Sequence, residues 1–114
     1  MKEVNRSLVV VKPRQPYVDW ATSFMDDDEA QNIAFFHRDC NAYLIDEIEE
    51  DGDEERILKK VYRRIFSEEL YAWMTDESTW PERRDYPTFR EWFEVEFHSL
   101  VFDLGNNRLQ TEDS

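Results

Sequence analysis

The stretch GDEERILKKVYRRIFSEELYAWM, residues 52–74, carries the most regular pattern in the sequence. Asp53 suits the N-cap of a helix, and Glu54 and Glu55 suit the positive end of the helix dipole. Apolar pairs then recur at helical spacing and basic residues fill the opposite face, with Ile57/Leu58, Val61/Tyr62 and Ile65/Phe66 on one side and Arg56, Lys59, Lys60, Arg63 and Arg64 on the other. The pattern predicts an amphipathic helix that packs on a core.

The helical pattern changes phase at Ser67. In a straight continuation, Glu68 and Glu69 would fall on the apolar face, and Leu70 would fall near the basic face. A serine followed by two glutamates is also typical of a helix start. We therefore expect a kink at this point or a second helix over residues 68–74.

Three other stretches predict strands. SLVVVK (residues 7–12) is a β-branched run that Pro13 ends. NAYLIDEIE (residues 41–49) predicts a second strand, which leaves the core near Asp46. SLVFDL (residues 99–104) predicts a third strand, because turn residues follow it.

Shorter helices are predicted between the strands. Apolar residues at helical spacing follow Pro16, and acidic residues begin a second helix over residues 28–36. Thr88 and Glu91 form a capping box that opens a last helix, which aromatic residues mark as far as Phe97.

The order of these elements is strand, helix, helix, strand, helix, helix, helix, strand. Long connections between strands favour a mixed or partly parallel sheet. The sequence therefore predicts an α+β (or α/β) fold of two layers, in which helices pack on a small mixed sheet of about three strands. We expect residues 1–107 to form a single globular domain and residues 108–114 to form a flexible tail.

Composition and charge exclude several functions. The 114 residues include 14 basic and 27 acidic side chains, and the net charge of −13 disfavours binding to nucleic acid and to anionic membranes. Gly52 and Gly105 are the only glycines, so a Walker loop or a dinucleotide-binding fingerprint cannot form, and we expect no cofactor. The single cysteine, Cys40, and the short apolar run at the N-terminus predict a cytoplasmic protein without a signal peptide or membrane span.

Metal binding is suggested by five side chains of ligand type, namely His37, Asp39, Cys40, Glu96 and His98. Their spacing does not close a zinc or iron site, so we expect no bound transition metal. The acidic run DEIEEDGDEE holds eight carboxylates in residues 46–55 but lacks the ligand order of a calcium loop. We expect this run to neutralise the basic face of the following helix.

No catalytic residue is assigned, although Glu96 and His98 are candidates. If the last helix continued past Val95, Glu96 would project among aromatic side chains, which would raise its pKa toward a value useful in general acid–base catalysis. If the helix ended or turned there, the carboxylate would reach solvent. In an extended chain, Glu96 and His98 would share one face.

Residues 75–87, TDESTWPERRDYP, contain two prolines and no periodicity and predict a long loop, here called the Trp80 loop. Burial of Trp80 and Tyr86 would offset the entropy lost when the loop is ordered. Either both rings pin the loop, or Trp80 stays partly exposed as an anchor for a partner, flanked by Arg83 and Arg84. These four residues are the predicted binding residues.

Three functional hypotheses follow. The leading hypothesis is a non-enzymatic protein-binding or regulatory module with an acidic surface. The alternative is a small enzyme with a pocket near Glu96, His98 and the Trp80 loop. The third is a DNA mimic, in which spaced carboxylates imitate phosphates. The sequence leaves the oligomeric state open.

Two stretches, ELYAWMTDESTWP (residues 69–81) and FREWFEVEFHSLVFDL (residues 89–104), resemble sequences in a family of small, acidic bacterial proteins of unassigned function. Together they cover about a quarter of the chain. The resemblance implies a bacterial, cytoplasmic protein, and it implies no activity, cofactor or catalytic residue.

Overall fold

The computed structural model describes residues 2–25 and 33–112. Within these residues the chain forms four helices and two antiparallel sheets, which confirms the predicted α+β class. The helix predicted over residues 28–36 lies partly outside the described residues, and its last turn forms α2 (Ile33–Phe36).

The larger sheet has three strands. β2 (Ser7–Pro13) lies in the centre between β3 (Asn41–Ile45) and β4 (Phe93–His98), and both pairings are antiparallel. β1 (Lys2–Glu3) pairs with β5 (Phe102–Asp103) in a separate antiparallel sheet. The three-stranded sheet with helices packed on it was predicted, but its strand directions are not mixed. A long connection permits a parallel return without requiring one.

Buried and partly buried residues alternate along β2, so the two faces of the sheet differ. Val9 and Val11 are fully buried beneath the helices, whereas Leu8, Val10 and Lys12 are only partly buried on the outer face. The helices cover one face of the sheet, as a two-layer fold requires. The outer face is therefore available to solvent.

A long helix and a group of aromatic rings form the core. α3 (Asp53–Trp73) packs its apolar face toward the sheet. The ring centroid of Phe66, a residue only 1% exposed, lies 5.5–5.8 Å from the rings of Phe89, Trp92 and Phe93. These are edge-on or tilted contacts, which favour aromatic pairs beyond the area that they bury.

α3 is continuous, so the second helix predicted over residues 68–74 is wrong, and the kink stays a prediction. α1 (Gln15–Thr22) packs against the second half of α3, where the indole N–H of Trp73 donates to the carbonyl of Ala21 at 2.8 Å. The buried face therefore widens toward the C-terminus of α3 and includes Leu70, which is fully buried. Glu69 is buried as well, and hydrogen bonds from β3 replace its contact with water.

The C-terminal elements also differ from the prediction. α4 (Tyr86–Trp92) stops where β4 begins, so the helix does not continue to Phe97. Asp85 caps α4 in place of Thr88, because its carboxylate accepts the amide of Thr88 at 2.9 Å. The strand predicted over residues 99–104 contains only β5. The aromatic residues of this segment fit helical spacing, but they also alternate with acidic residues as in a strand. The pairing of residues 93–98 with β2 determines that the segment is a strand.

Removing the Phe66 side chain tests the core directly. We expect Phe66→Ala to lower the free energy of unfolding by about 3–5 kcal/mol, because it leaves a cavity among the aromatic rings. Tyr71→Ala is the matched control on the same helix, since Tyr71 is 57% exposed, and it should change stability by less than about 0.5 kcal/mol. Urea unfolding followed by far-ultraviolet circular dichroism measures both, and equal losses would contradict this description of the core.

Candidate binding surfaces

The structure holds the Trp80 loop against the helices at two points. The indole N–H of Trp80 donates to the carbonyl of Met74 at 2.8 Å, and that of Trp20 donates to the carbonyl of Thr79 at 2.9 Å. The Trp80 ring is partly buried and packs against the core. The guanidinium of Arg84 lies 5.6 Å from the centroid of the Trp80 ring. These contacts stabilise the loop, which forms a single turn of 3-10 helix before Trp80.

The other predicted binding residues have partners of their own. Arg83 pairs with Asp85 at 2.8 Å on the surface. The hydroxyl of Tyr86 donates to Glu55 at 2.8 Å and lies 3.1 Å from Arg90. Trp80 and Arg84 therefore come together, whereas Arg83 and Tyr86 contact different neighbours. That these residues bind a partner stays a prediction.

Glu96 and His98 lie on the outer face of β4 and both are exposed. Their side chains share that face, as an extended chain predicts, and His98 Nε2 lies 2.8 Å from Glu96 Oε2. The hydrogen bond from His98 and the nearby ammonium of Lys12 lower the pKa of Glu96. The hypothesis of an apolar setting that raises this pKa is therefore wrong, and the solvent-exposed alternative is confirmed.

The five side chains of metal-ligand type do not converge. In the tautomer protonated at Nε2, His37 donates to the carbonyl of Pro13 at 2.6 Å, and the thiol of Cys40 lies 3.7 Å from the carbonyl of Phe36. Burial raises the pKa of the Cys40 thiol, which keeps it protonated. Among residues 2–25 and 33–112, no three histidine, cysteine or acidic side chains lie close enough to hold a metal ion.

A buried carboxylate on α3 is the main polar feature that the sequence patterns missed. Glu69 is 5% exposed, and its Oε2 accepts hydrogen bonds from the hydroxyl of Tyr43 at 2.5 Å and from the amide of Asn41 at 2.6 Å. Burial raises the pKa of Glu69, and the two hydrogen bonds oppose that change in part. The cluster joins β3 to α3. Asn41 and Tyr43 are alternate residues of one predicted strand, which is the signal that could have revealed two donors on one face.

The acidic run forms a cleft at one end of the sheet. The carboxylate of Asp53 accepts the amides of Glu49 and Glu50 at 3.0 and 2.9 Å, and these bonds lower its pKa to about 2. The loop folded in this way borders a cavity of about 310 Å³, here called the acidic cleft, whose lining residues are Ile48, Glu49, Glu50, Asp51, Glu54, Phe97 and Ser99. The lining combines two apolar residues, Ile48 and Phe97, with four acidic residues.

The cleft carboxylates lack cationic partners among the described residues. In the part of the chain that the structure describes, none of the four forms an ion pair. Within the acidic run, Asp53 pairs with Arg56 at 2.9 Å and Glu55 pairs with Arg90 at 3.2 Å. The prediction that the run neutralises the basic face of α3 therefore holds for Arg56 only.

A second cavity lies between the edge strand and the long helix. It has a volume of about 300 Å³ and is here called the β3–α3 groove; its lining residues are Tyr43, Leu44, Ile45, Val61, Arg64, Ile65 and Glu68. β3 contributes one wall and α3 contributes the other. Arg64 and Glu68 form no ion pair with any residue in the described ranges.

Comparisons with protein-family models, curated protein sequences and solved structures gave no match. The resemblance to a family of small, acidic bacterial proteins thus stays a prediction. No helix in the described residues has both the length and the apolar composition to cross a bilayer.

The buried carboxylate should give stability a distinct pH dependence. Because the pKa of Glu69 is raised in the folded state, the folded protein binds a proton more tightly than the unfolded chain does. Stability from this group is therefore lost as pH rises through the folded pKa. We expect wild type to gain stability relative to Glu69→Gln as the pH falls from 8 toward the unfolded pKa of about 4.3.

Glu68→Gln is the matched control, because it removes the same charge from an exposed neighbour of Glu69. The free energy of unfolding, measured by urea at half-unit steps of pH, should separate the two variants. If Glu68→Gln and Glu69→Gln followed the same curve, the buried carboxylate would not be the source of the effect.

Proposed function

We propose that this protein is a non-enzymatic binding module that recognises a basic segment of a protein partner at the acidic cleft. The observation that carries the proposal is that one cavity is lined by Glu49, Glu50, Asp51 and Glu54, which form no ion pair within the described residues, together with Ile48 and Phe97. A net charge of −13 would also attract a cationic partner before contact.

The chemistry of the cleft suits an arginine or lysine side chain. Such side chains bury an apolar stem while the charged end stays near polar groups, and Ile48 and Phe97 offer an apolar surface for the stem. A guanidinium also stacks favourably on an aromatic ring and forms paired hydrogen bonds with a carboxylate. The cleft combines both contacts within one cavity.

The geometry favours binding over catalysis. Glu96 and His98 form an exposed hydrogen bond, and the hydrogen bonds of Glu96 lower its pKa away from the range of a general acid. The Trp80 loop contacts Met74, the residue that follows α3, whereas His98 pairs with Leu8 near the start of β2. The DNA-mimic hypothesis stays a prediction. It is compatible with this proposal, because a DNA-binding protein is one kind of basic partner.

A charge-neutralised variant tests the acidic cleft. We expect Glu49→Gln/Glu50→Gln/Asp51→Asn to bind a fluorescein-labelled peptide of alternating arginine and glycine at least tenfold more weakly than wild type does. The measurement is fluorescence anisotropy at 0.15 M salt, where the Debye length of about 8 Å screens distant charges.

The matched control carries the same change in net charge at three exposed acids elsewhere, Glu77→Gln/Glu91→Gln/Glu112→Gln. It should weaken binding by less than threefold. Equal weakening in the two triple variants would mean that only net charge attracts the peptide, and the proposal of a defined cleft would be wrong.

A further inference from the structure

We propose that the outer edge of β3, together with the β3–α3 groove, binds an extended segment of a protein partner as an additional strand. The inference rests on the proposed function in one respect only, which is that the partner is a protein with basic residues. It assigns a second contact surface and a mode of recognition. Backbone hydrogen bonds would supply affinity, and the groove would select side chains.

Among residues 2–25 and 33–112, no strand pairs with one side of the β3 backbone. Within the described residues β3 pairs with β2 alone, so it is an edge of the sheet. In an antiparallel ladder, alternate residues point their N–H and C=O groups toward one neighbouring strand, and the remaining residues point theirs the other way. The second set in β3 is therefore open to a new strand.

The two edges of the sheet are protected to different degrees. Natural edge strands avoid unwanted pairing through charged residues, prolines or bulges. β4 carries Glu94, Glu96 and His98 on its outer face, and Lys12 lies beside both glutamates. β3, with the sequence NAYLI, contains no charged residue and no proline. The edge without protection is the one beside the groove.

The groove determines which side chains the added strand would carry. Side chains that point toward the helices would lie over the α3 wall of the groove, where Val61 and Ile65 stand beside the charged residues Arg64 and Glu68. Side chains that point the other way would meet Leu44, which is 49% exposed on the outer face. Because successive side chains of a strand alternate between faces, small apolar or β-branched residues suit both sets of positions.

Charge determines which residues the partner would carry at one end of the added strand. β3 leads directly into Asp46 and Glu47, which are exposed and form no ion pair with any described residue. A strand paired with β3 would pass these carboxylates as it leaves the groove, so lysine or arginine at that end complements them. A second copy of this chain fits less well, since each copy carries a net charge of −13.

The probe for this site is the peptide KKVTVTVT, compared with two matched peptides. One has N-methyl groups on the backbone amides of alternate residues, and the other replaces both lysines with glutamates. We expect the parent peptide to bind and to slow amide hydrogen exchange within Asn41–Ile45. The N-methylated peptide should bind at least tenfold more weakly, and the glutamate peptide at least fivefold more weakly.

A substitution in the groove gives a second measurement on the protein itself. Val61→Lys places a charge on the α3 wall, and we expect at least tenfold weaker binding of the parent peptide. Phe24→Lys is the matched control, because Phe24 is an exposed apolar residue beyond the end of α1. Amide NMR spectra and thermal unfolding establish that both variants fold.

The outcomes separate this inference from the acidic-cleft proposal. If N-methylation weakens binding and the Glu49→Gln/Glu50→Gln/Asp51→Asn variant still binds, strand addition stands without the cleft. If that variant loses binding and N-methylation has no effect, the cleft stands and strand addition is wrong. Strand addition is also overturned if no peptide binds at 1 mM, or if the free protein is a dimer whose β3 amides are already protected.

Discussion

The hydrogen bonds from Tyr43 and Asn41 to the buried carboxylate of Glu69 hold β3 against the second half of α3. A carboxylate that is shielded from water needs such donors, because an unpaired buried charge is strongly destabilising. The strand and the helix must therefore stay at a separation that keeps both donors in reach. The groove beside Tyr43 and the position of the free edge follow from that separation.

Charge is distributed unevenly around the three-stranded sheet. At the β4 edge, Lys12 pairs with both Glu94 and Glu96, and His98 is hydrogen-bonded to Glu96. At the adjoining end of the sheet, the carboxylates of the acidic cleft lie beside Ile48 and Phe97 and form no ion pair within the described residues. Unpaired charge of one sign beside apolar side chains is typical of a site that a partner completes.

Local patterns predicted the elements whose side chains repeat without ambiguity. The apolar pairs of α3 fit the helical period only, and the β-branched composition of β2 together with the proline that ends it favours a strand. Residues 93–98 fit two periods, because their aromatic residues suit both the apolar face of a helix and one face of an alternating strand. The pairing with β2 selects the strand. Strand direction was mispredicted for a related reason, since connection length does not determine it.

The candidate sites depend on contacts between residues that are distant in the sequence. The acidic run was evident, but the cleft also needs Phe97 and Ser99, which reach it only because β4 pairs with β2. Glu69 was mispredicted because a helical wheel considers one helix and omits Tyr43, the donor that makes burial tolerable.

Hydrogen exchange of the strand amides in Tyr43→Phe tests most directly whether the Glu69 contact holds β3 in place. The substitution removes one hydroxyl and leaves the ring in the core. We predict that exchange becomes faster in β3 while the amides of β4 keep their protection, since only β3 loses a contact with α3. Unchanged exchange in β3, or equal loss of protection in β3 and β4, would contradict the central role of this interaction.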